Sequence, residues 1–505
     1  MKRKSDKGIT LLALVITIII LLILAGITIS TITGDDGIIK NAGQAKEETE
    51  IANEKEIVEK ATVQAMGKNK YGNVEESELQ SELDKETGEG KTEATDIGDE
   101  FEVVFNESDR YYMVDKDGNV GEAQDIIEDK NPGDITTGKD GETLDGSEEK
   151  PYEIWCIEDL LEWSNNYNTY LNSEIILCRN LNFKSKYSYA DSERTDYGDV
   201  NEDNATDPLI QEMQTGKGFK PIANFSGNFN GQAYKVDNIY IDYTGMTKSV
   251  GLFSYVTNAE ISNLEISGNI SGNSAGGIIG VGGKNVTCVR LKNKCSIHGE
   301  GRGAGGIIGY YEYGKELKII NCENLGNILG QNSTNVGGIV GYAYAPNDSS
   351  NQEIYIYNSS NQAIVETRNG NVGGMIGCLN SDGAGYSNGK IYNCYNTGKI
   401  SVTEKLGQSD GNTGGIYGLF RSVVSANLEI KNSYILSELD LKVGTSGWSC
   451  LVNGEKINDD YINAKFLEKS YMQSQEFINE LNAFKLEGED LDYWKLKENG
   501  YPTFE

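Results

Sequence analysis

Gly337-Gly338-Ile339-Val340-Gly341 is one of five near-copies in the chain. The others are Gly276-Gly277-Ile278-Ile279-Gly280, Gly305-Gly306-Ile307-Ile308-Gly309, Gly373-Gly374-Met375-Ile376-Gly377 and Gly414-Gly415-Ile416-Tyr417-Gly418, at intervals of 29, 32, 36 and 41 residues. Self-similarity at such a period marks a repeat architecture, in which each unit is one rung and neighbours bury a shared core. Apolar β-formers between glycines give strands of about four to six residues, too short to stand alone but able to pair with the next rung. Glycine lets the chain turn sharply and lets backbones approach. Helical periodicity is absent here. The unequal intervals place the extra residues in loops at the corners.

A second phrase recurs between these marks: Ile320-Asn321-Cys322, Ile356-Tyr357-Asn358-Ser359, Ile391-Tyr392-Asn393-Cys394 and Ile430-Lys431-Asn432-Ser433. Small residues such as Cys322 and Cys394 are expected to point inward and pile into columns. Together the two phrases predict a mainly β chain built as a parallel β-helix, or β-solenoid.

These residues resemble the GLUG-motif repeats of bacterial surface proteins, in which Gly-Gly-Ile-Val-Gly is followed by a turn and Asn-Cys-x-Asn-x-Gly-x-Ile. Asn321 to Ile328 and Asn393 to Ile400 fit closely, and Cys288 to Ile297 fits loosely, with Cys295 where glycine is usual. Tyr152-Glu153-Ile154, Lys220-Pro221-Ile222, Phe225 to Gly231 and Gly251-Leu252-Phe253 look like that family's lead-in. The resemblance covers about Pro151 to Glu505. It implies a surface location and a β-solenoid, and it implies no catalytic activity.

Composition limits the function. The chain has 505 residues, 77 acidic against 45 basic, for a net charge of -32. Phosphate binding needs clustered Lys and Arg, so nucleic acid is not an expected partner. Eight cysteines are too few for a disulfide-built scaffold of this size. Cys288, Cys322 and Cys394 read as packed, reduced core residues, and a Cys156–Cys178 bridge stays open. A single histidine, His298, excludes a His-Glu-x-x-His zinc site and reads as a surface residue at a rung corner. No metal site or cofactor is expected.

Residues 1–8 carry Lys2, Arg3, Lys4 and Lys7, and 9–29 hold no charge. That run is long enough to cross a bilayer as a helix. The basic flank places the amino end in the cytoplasm and the bulk outside. Lys7-Gly8-Ile9-Thr10-Leu11 resembles a type IV prepilin leader. The resemblance implies cleavage between Gly8 and Ile9 by a prepilin peptidase, followed by packing of the apolar helix in the membrane or against other pilus subunits. Major pilins carry Glu where Ala13 stands, which weighs against a long filament; an uncut membrane anchor is the alternative.

Residues 30–121 read as a pilin-like helix from Ile38 to Met66 and a small sheet from Glu100 to Phe105 and Arg110 to Val114. Asp115-Lys116-Asp117-Gly118-Asn119 reads as a hairpin turn. Residues 122–150 read as an acidic linker. From Asp35 to Lys150 there are 34 acidic and 13 basic residues, so this stem is expected to repel itself and stay extended. Residues 151–465 form the repeat solenoid, with an amphipathic helix at Ile157 to Tyr170 capping its open end. The repeats are expected to stop after Ile430, and 466–505 to cap the other end.

The functional expectation is a non-enzymatic cell-surface protein, an adhesin or ligand-binding module on a pilin-like anchor. Tyr311, Tyr313 and Tyr344 are the candidate ligand-binding residues, because aromatics on a flat β-surface stack on sugar rings and hydrogen-bond through their hydroxyls. A surface glycan or a host protein is the expected partner. A minor pilin or pseudopilin is the alternative. A polysaccharide-degrading β-helix enzyme is a third reading; it requires two carboxylates facing one cleft, or a base beside the abstracted proton.

Overall fold

A computed structural model describes residues 38–504, except 70–72, 89, 97–99, 107, 109, 122–123, 126–131, 139–140, 184–212, 333, 346–350, 382–386, 405–411, 423–425, 447–449, 453–463 and 498–499. The leader and apolar run therefore lie outside the described residues. Among those described, no helix is long and apolar enough to cross a membrane. The chain divides into two compact units, Met1–Ile127 and Glu128–Glu505.

In the first unit, α1 (Ile38–Lys68) and α2 (Glu76–Thr87) accompany an antiparallel sheet in the order β1 (Thr92–Asp96), β2 (Glu100–Phe105), β3 (Arg110–Asp115) and β4 (Gln124–Asp125). Val58, Ala61 and Ala65 of α1 pack with Leu79 and Leu83 of α2 on Phe101, Val103 and Tyr112. The Tyr112 hydroxyl donates to Ile51 O at 3.1 Å and Glu54 Oε2 at 3.0 Å, which ties helix to sheet. Asp115 turns the chain by accepting from Asn119 N at 2.7 Å, with Gly118 at φ 86°. Helix α2 and strands β1 and β4 were not expected: α2 offers the core only Leu79 and Leu83, too faint a period to read.

The second unit is mainly β and built on large parallel sheets. One sheet runs Phe253–Val256, Ile279–Gly282, Ile308–Glu312, Val340–Ala345, Ile376–Ser381, Tyr417–Ser422 and Thr445–Ser446, each strand from the next rung. A second holds the short glycine strands Ala275–Gly276, Gly303–Gly305, Asn335–Gly337, Val372–Gly373 and Thr413–Gly414. The remaining strands of each turn pair in parallel in a third, for example Ile319 with Ile356 and Ile356 with Ile391. This is the pairing of a β-solenoid. The repeats run one partial turn further than expected, since Ala426–Lys431 pairs with Cys450–Val452 and Ser433–Leu436 with Ala464–Leu467.

The glycine phrase is a corner rather than a strand. Its first glycine ends one strand, and its second isoleucine begins a strand of another sheet. Each glycine is needed for a different contact. A Cβ on Gly337 would lie 2.0 Å from Val340 O within its own turn. One on Gly338 would meet Gly374 O of the next rung at 2.0 Å and Asn361 Cγ at 2.5 Å. One on Gly341 would meet Ala304 N of the preceding rung at 2.4 Å.

The Asn phrase makes two ladders. Asn321, Asn358, Asn393 and Asn432 have φ of 57°, 49°, 55° and 47°, the left-handed region that asparagine tolerates better than other side chains. Their amides chain rung to rung: Asn358 Nδ2 donates to Asn321 Oδ1 at 2.7 Å, Asn393 to Asn358 at 2.6 Å and Asn432 to Asn393 at 2.6 Å. Inside, Asn293, Asn324, Asn361 and Asn396 form a second ladder, each link 2.7 Å. Between the ladders lies the expected column of small residues. Cys322 and Cys394 stand in it, buried and free, with Ser359 between them, whose Oγ accepts from Cys322 N at 3.1 Å; Cys288 is buried and free as well, but it lies in the neighbouring column, paired with Ile261 and Ile319. Cys156 and Cys178 are also buried, and no disulfide joins them.

Helix α3 (Ile157–Asn165) closes the first turns. Buried Trp163 packs on Phe225, Phe229 and Phe253 at centroid distances of 5.1, 5.3 and 5.4 Å. The expected acidic linker is folded where it is described beyond Pro132. Ile135 is buried in the solenoid core, Leu144 is buried too, and Gly133 N donates to Asp159 Oδ1 at 2.8 Å. These two apolar anchors outweigh the local charge repulsion.

The C-terminal segment differs most from expectation. Helix α4 (Gln475–Ala483) buries Phe477, Ile478 and Leu481, but against the outward faces of Tyr395 and Tyr434. The chain after it runs along the side of the stack, over the outer Asn ladder. Asn393 Nδ2 donates to Leu481 O, Asn358 Nδ2 to Asp492 O, and Asn321 Nδ2 to Asp490 O, at 2.9–3.1 Å. Arg290 holds Asp492 at 2.8 Å and Asp490 at 2.8 Å. The segment is a lateral strap, not an end cap, because the ladder amides have donors left over for its carbonyls.

Candidate functional site

The sheet of longer strands carries an outward column whose residues follow from its register. Tyr310 pairs with Val281 and Tyr342, and Tyr342 with Cys378. Two residues on, the same face presents Glu312, Tyr344, Asn380 and Arg421. Tyr310 and Tyr342 stack at 5.3 Å, and Tyr342 and Tyr344 at 5.6 Å. Polar groups fix the hydroxyls: Arg302 Nη1 donates to Tyr310 at 3.0 Å, and Asn380 Nδ2 to Tyr342 at 3.1 Å. The Tyr310 hydroxyl is held well above its ordinary range, first by burial and then by its hydrogen bond to Glu312, against the opposing pull of Arg302. It stays a neutral donor and acceptor at physiological pH. Tyr310 and Asn380 are themselves buried and support the stack, so the face offers the half-buried rings of Tyr342 and Tyr344, the Glu312 carboxylate and the Arg302 guanidinium.

Of the three expected tyrosines, Tyr344 belongs to this column and is half-buried. Tyr311 does not: it is fully buried in the core. Adjacent residues of a strand face opposite ways, and the ring of Tyr311 lies over Gly282 and Gly314. Tyr313 is 54% exposed at the turn after the strand, with φ 54°, a costly backbone for an aromatic residue. Tyr355, Tyr357 and Tyr392 form another stack, at 5.8 and 5.4 Å, covered by Phe484, Leu486 and Leu491 of the strap. Arg302, Glu312 and Asn380 had no signal in sequence; only the rung register brings them to the tyrosines. His298 lies half-buried within the strand Ser296–Gly299, not at an exposed corner. Among the described residues, no three metal-ligating side chains cluster. Gly8 and Ile9 lie outside those residues.

No family model matches the chain, and no curated protein matches it. A solved structure described as "a putative immunoglobulin A1 protease from Bacteroides ovatus" is similar at 20% identity over 72% of this chain and 94% of its own, with a TM-score of 0.38. At that score the match supports no argument about this chain, and the fold rests on the strand pairing above.

Proposed function

We propose that the chain is a bacterial cell-surface protein of the GLUG-repeat kind, in which a pilin-like amino-terminal segment anchors a β-solenoid that binds a surface glycan or a host protein without turning it over. The observation that carries this reading is the stacked pair Tyr342 and Tyr344, held on buried Tyr310 and Asn380, with exposed Arg302 at its edge. The strands beneath are paired on both sides, so binding falls to side chains and corners, not to strand addition. Aromatic edges and fixed hydroxyls suit a saccharide or a polar protein surface. Prepilin peptidase and the membrane are the partners of the anchor, and pilus subunits are partners under the minor-pilin alternative. The test is a glycan and host-matrix array probed with the full chain and with Tyr344→Ala. Binding that survives Tyr344→Ala unchanged sinks this face as the binding surface.

A further inference from the structure

The strap leaves part of its groove open. Past its contacts with Asn321 and Arg290, a cavity of about 400 Å³ continues over the earlier corners, which lies in the ~300–1,000 Å³ range of small-molecule sites. Phe504 and Ala233 give it apolar walls over the buried core residues Leu264 and Leu291, and Lys235, Glu265, Arg290, Lys292, Glu323 and Asp492 give it charge. Those six balance, three against three, in a chain of net charge -32. The pairing is local: Lys292 lies 3.2 Å from Glu323, Lys235 lies 3.9 Å from Glu265, and Arg290 holds Asp492.

Glu323 is the unusual group. It is 1% exposed, and Oε2 accepts from the Thr503 hydroxyl at 2.9 Å. Oε1 makes no hydrogen bond of good geometry, although the Phe504 N–H lies close enough to favour its charge. A buried carboxylate oxygen without a partner is costly, and a hydroxyl donor entering the cavity would satisfy it. Phe504 stacks on Trp494 at 4.0 Å, and Trp494 Nε1 donates to Asn358 at 2.7 Å, so this wall is held in place.

We infer that this cavity is a second binding site, for an uncharged saccharide. A hydroxyl would donate to Glu323 Oε1, and the apolar face of a pyranose would lie on Phe504, beside Ala233. Charge balance disfavours an anionic sugar, which would need unpaired cations. The site is separate from the tyrosine column and stands whether or not that column binds anything.

The experiment is saturation-transfer NMR on the full chain in a sugar-free detergent. The probes are the neutral trisaccharides cellotriose, maltotriose and triacetylchitotriose, with trigalacturonate as the anionic arm. The inference expects a Kd of about 1 mM or tighter for a neutral probe, weakened about tenfold or more by Glu323→Gln and by Phe504→Ala and unchanged by Glu142→Ala, outside the cavity. Circular dichroism melts check that each variant is folded, and Phe504→Ala, at the chain end, keeps the test valid if Glu323→Gln does not fold. Absence of neutral binding, preference for trigalacturonate, or binding indifferent to both variants overturns it. So does release of reducing ends from a neutral probe, which would make the site catalytic. Loss in Tyr344→Ala alone overturns this inference and leaves the tyrosine-face reading standing.

Discussion

Asn361 packs directly on Gly338: a Cβ at position 338 would sit 2.5 Å from Asn361 Cγ and 2.0 Å from the Gly374 carbonyl. The same relation joins Gly277 to Asn293, Gly306 to Asn324 and Gly374 to Asn396. The inner asparagine ladder and the second glycine of each repeat are therefore one device. An amide column can be buried only where the neighbouring corner has no side chain.

Gly338→Val should accordingly lower stability by about 3 kcal/mol or more, because the atoms it meets are backbone and a hydrogen-bonded amide. Glu142→Ala should stay within about 0.5 kcal/mol, since its ion pair with Lys150 is half-exposed. Thermal melts of the two variants, followed by far-UV circular dichroism, make the comparison; equal midpoints would refute the stacking.

Asn358 does three jobs: it holds a left-handed corner, links two ladder amides, and anchors the strap through Asp492 O and Trp494 Nε1. Asn358→Ala should cost about 2–4 kcal/mol, from orphaned partners and a strained corner. Asn358→Gly should cost less, because glycine keeps the backbone. Hydrogen exchange should show faster opening across Lys485 to Tyr501 in both variants. Unchanged protection there would mean the ladder does not hold the strap.

Tyr311 and Tyr344 should part company. Tyr311→Ala empties a core site and should cost about 3–5 kcal/mol in stability. Tyr344→Ala should leave the melt nearly unchanged and weaken ligand binding by roughly 0.5–1.5 kcal/mol. Tyr313→Gly should raise stability slightly by relieving its left-handed backbone. A stable, fully binding Tyr311→Ala would contradict its placement.

Burial of Glu323 raises its pKa above the ordinary 4.5, with Lys292 and Thr503 opposing the shift. The folded state then holds this proton to a higher pH than the unfolded state does. Its contribution to stability should therefore fall as pH rises from about 4.5 through the folded pKa. Glu323→Gln should flatten that part of the pH–stability curve. Urea melts across pH 4 to 8 (~1-unit steps) measure it, and parallel curves for the two proteins would refute the shift.

At the other end of the chain, amino-terminal mass spectrometry of protein from its native host should find a mature chain starting at Ile9, with Gly8 and the basic leader removed. A chain still starting at Met1 leaves the uncut anchor.

The glycine and asparagine phrases made the repeat legible because each marks a backbone requirement that few residues meet. That is also why the capping helix around Trp163 and the column of Cys322 and Cys394 could be read. The binding face was only half legible. Tyr310 and Tyr311 are adjacent and both buried, and a one-residue difference in register decides which of them joins the outer stack and which the core. The strap was illegible, because Arg290 and Asp492 stand 202 positions apart and no local pattern joins them. Ile135 and Leu144 were masked by the acidic residues around them, although two anchors are enough to fold a short segment down.

The strap also decides how the solenoid takes load. Tension applied at the carboxyl end would otherwise peel the last paired strands, Cys450–Val452 and Ala464–Leu467, and then each turn in sequence like a zip. Instead it first meets Glu323 through Thr503, Asn358 through Trp494 and Arg290 through Asp492. The pull enters the stack at its middle turns and is resisted there in shear by several contacts at once, so the last turn is shielded until the strap has given way.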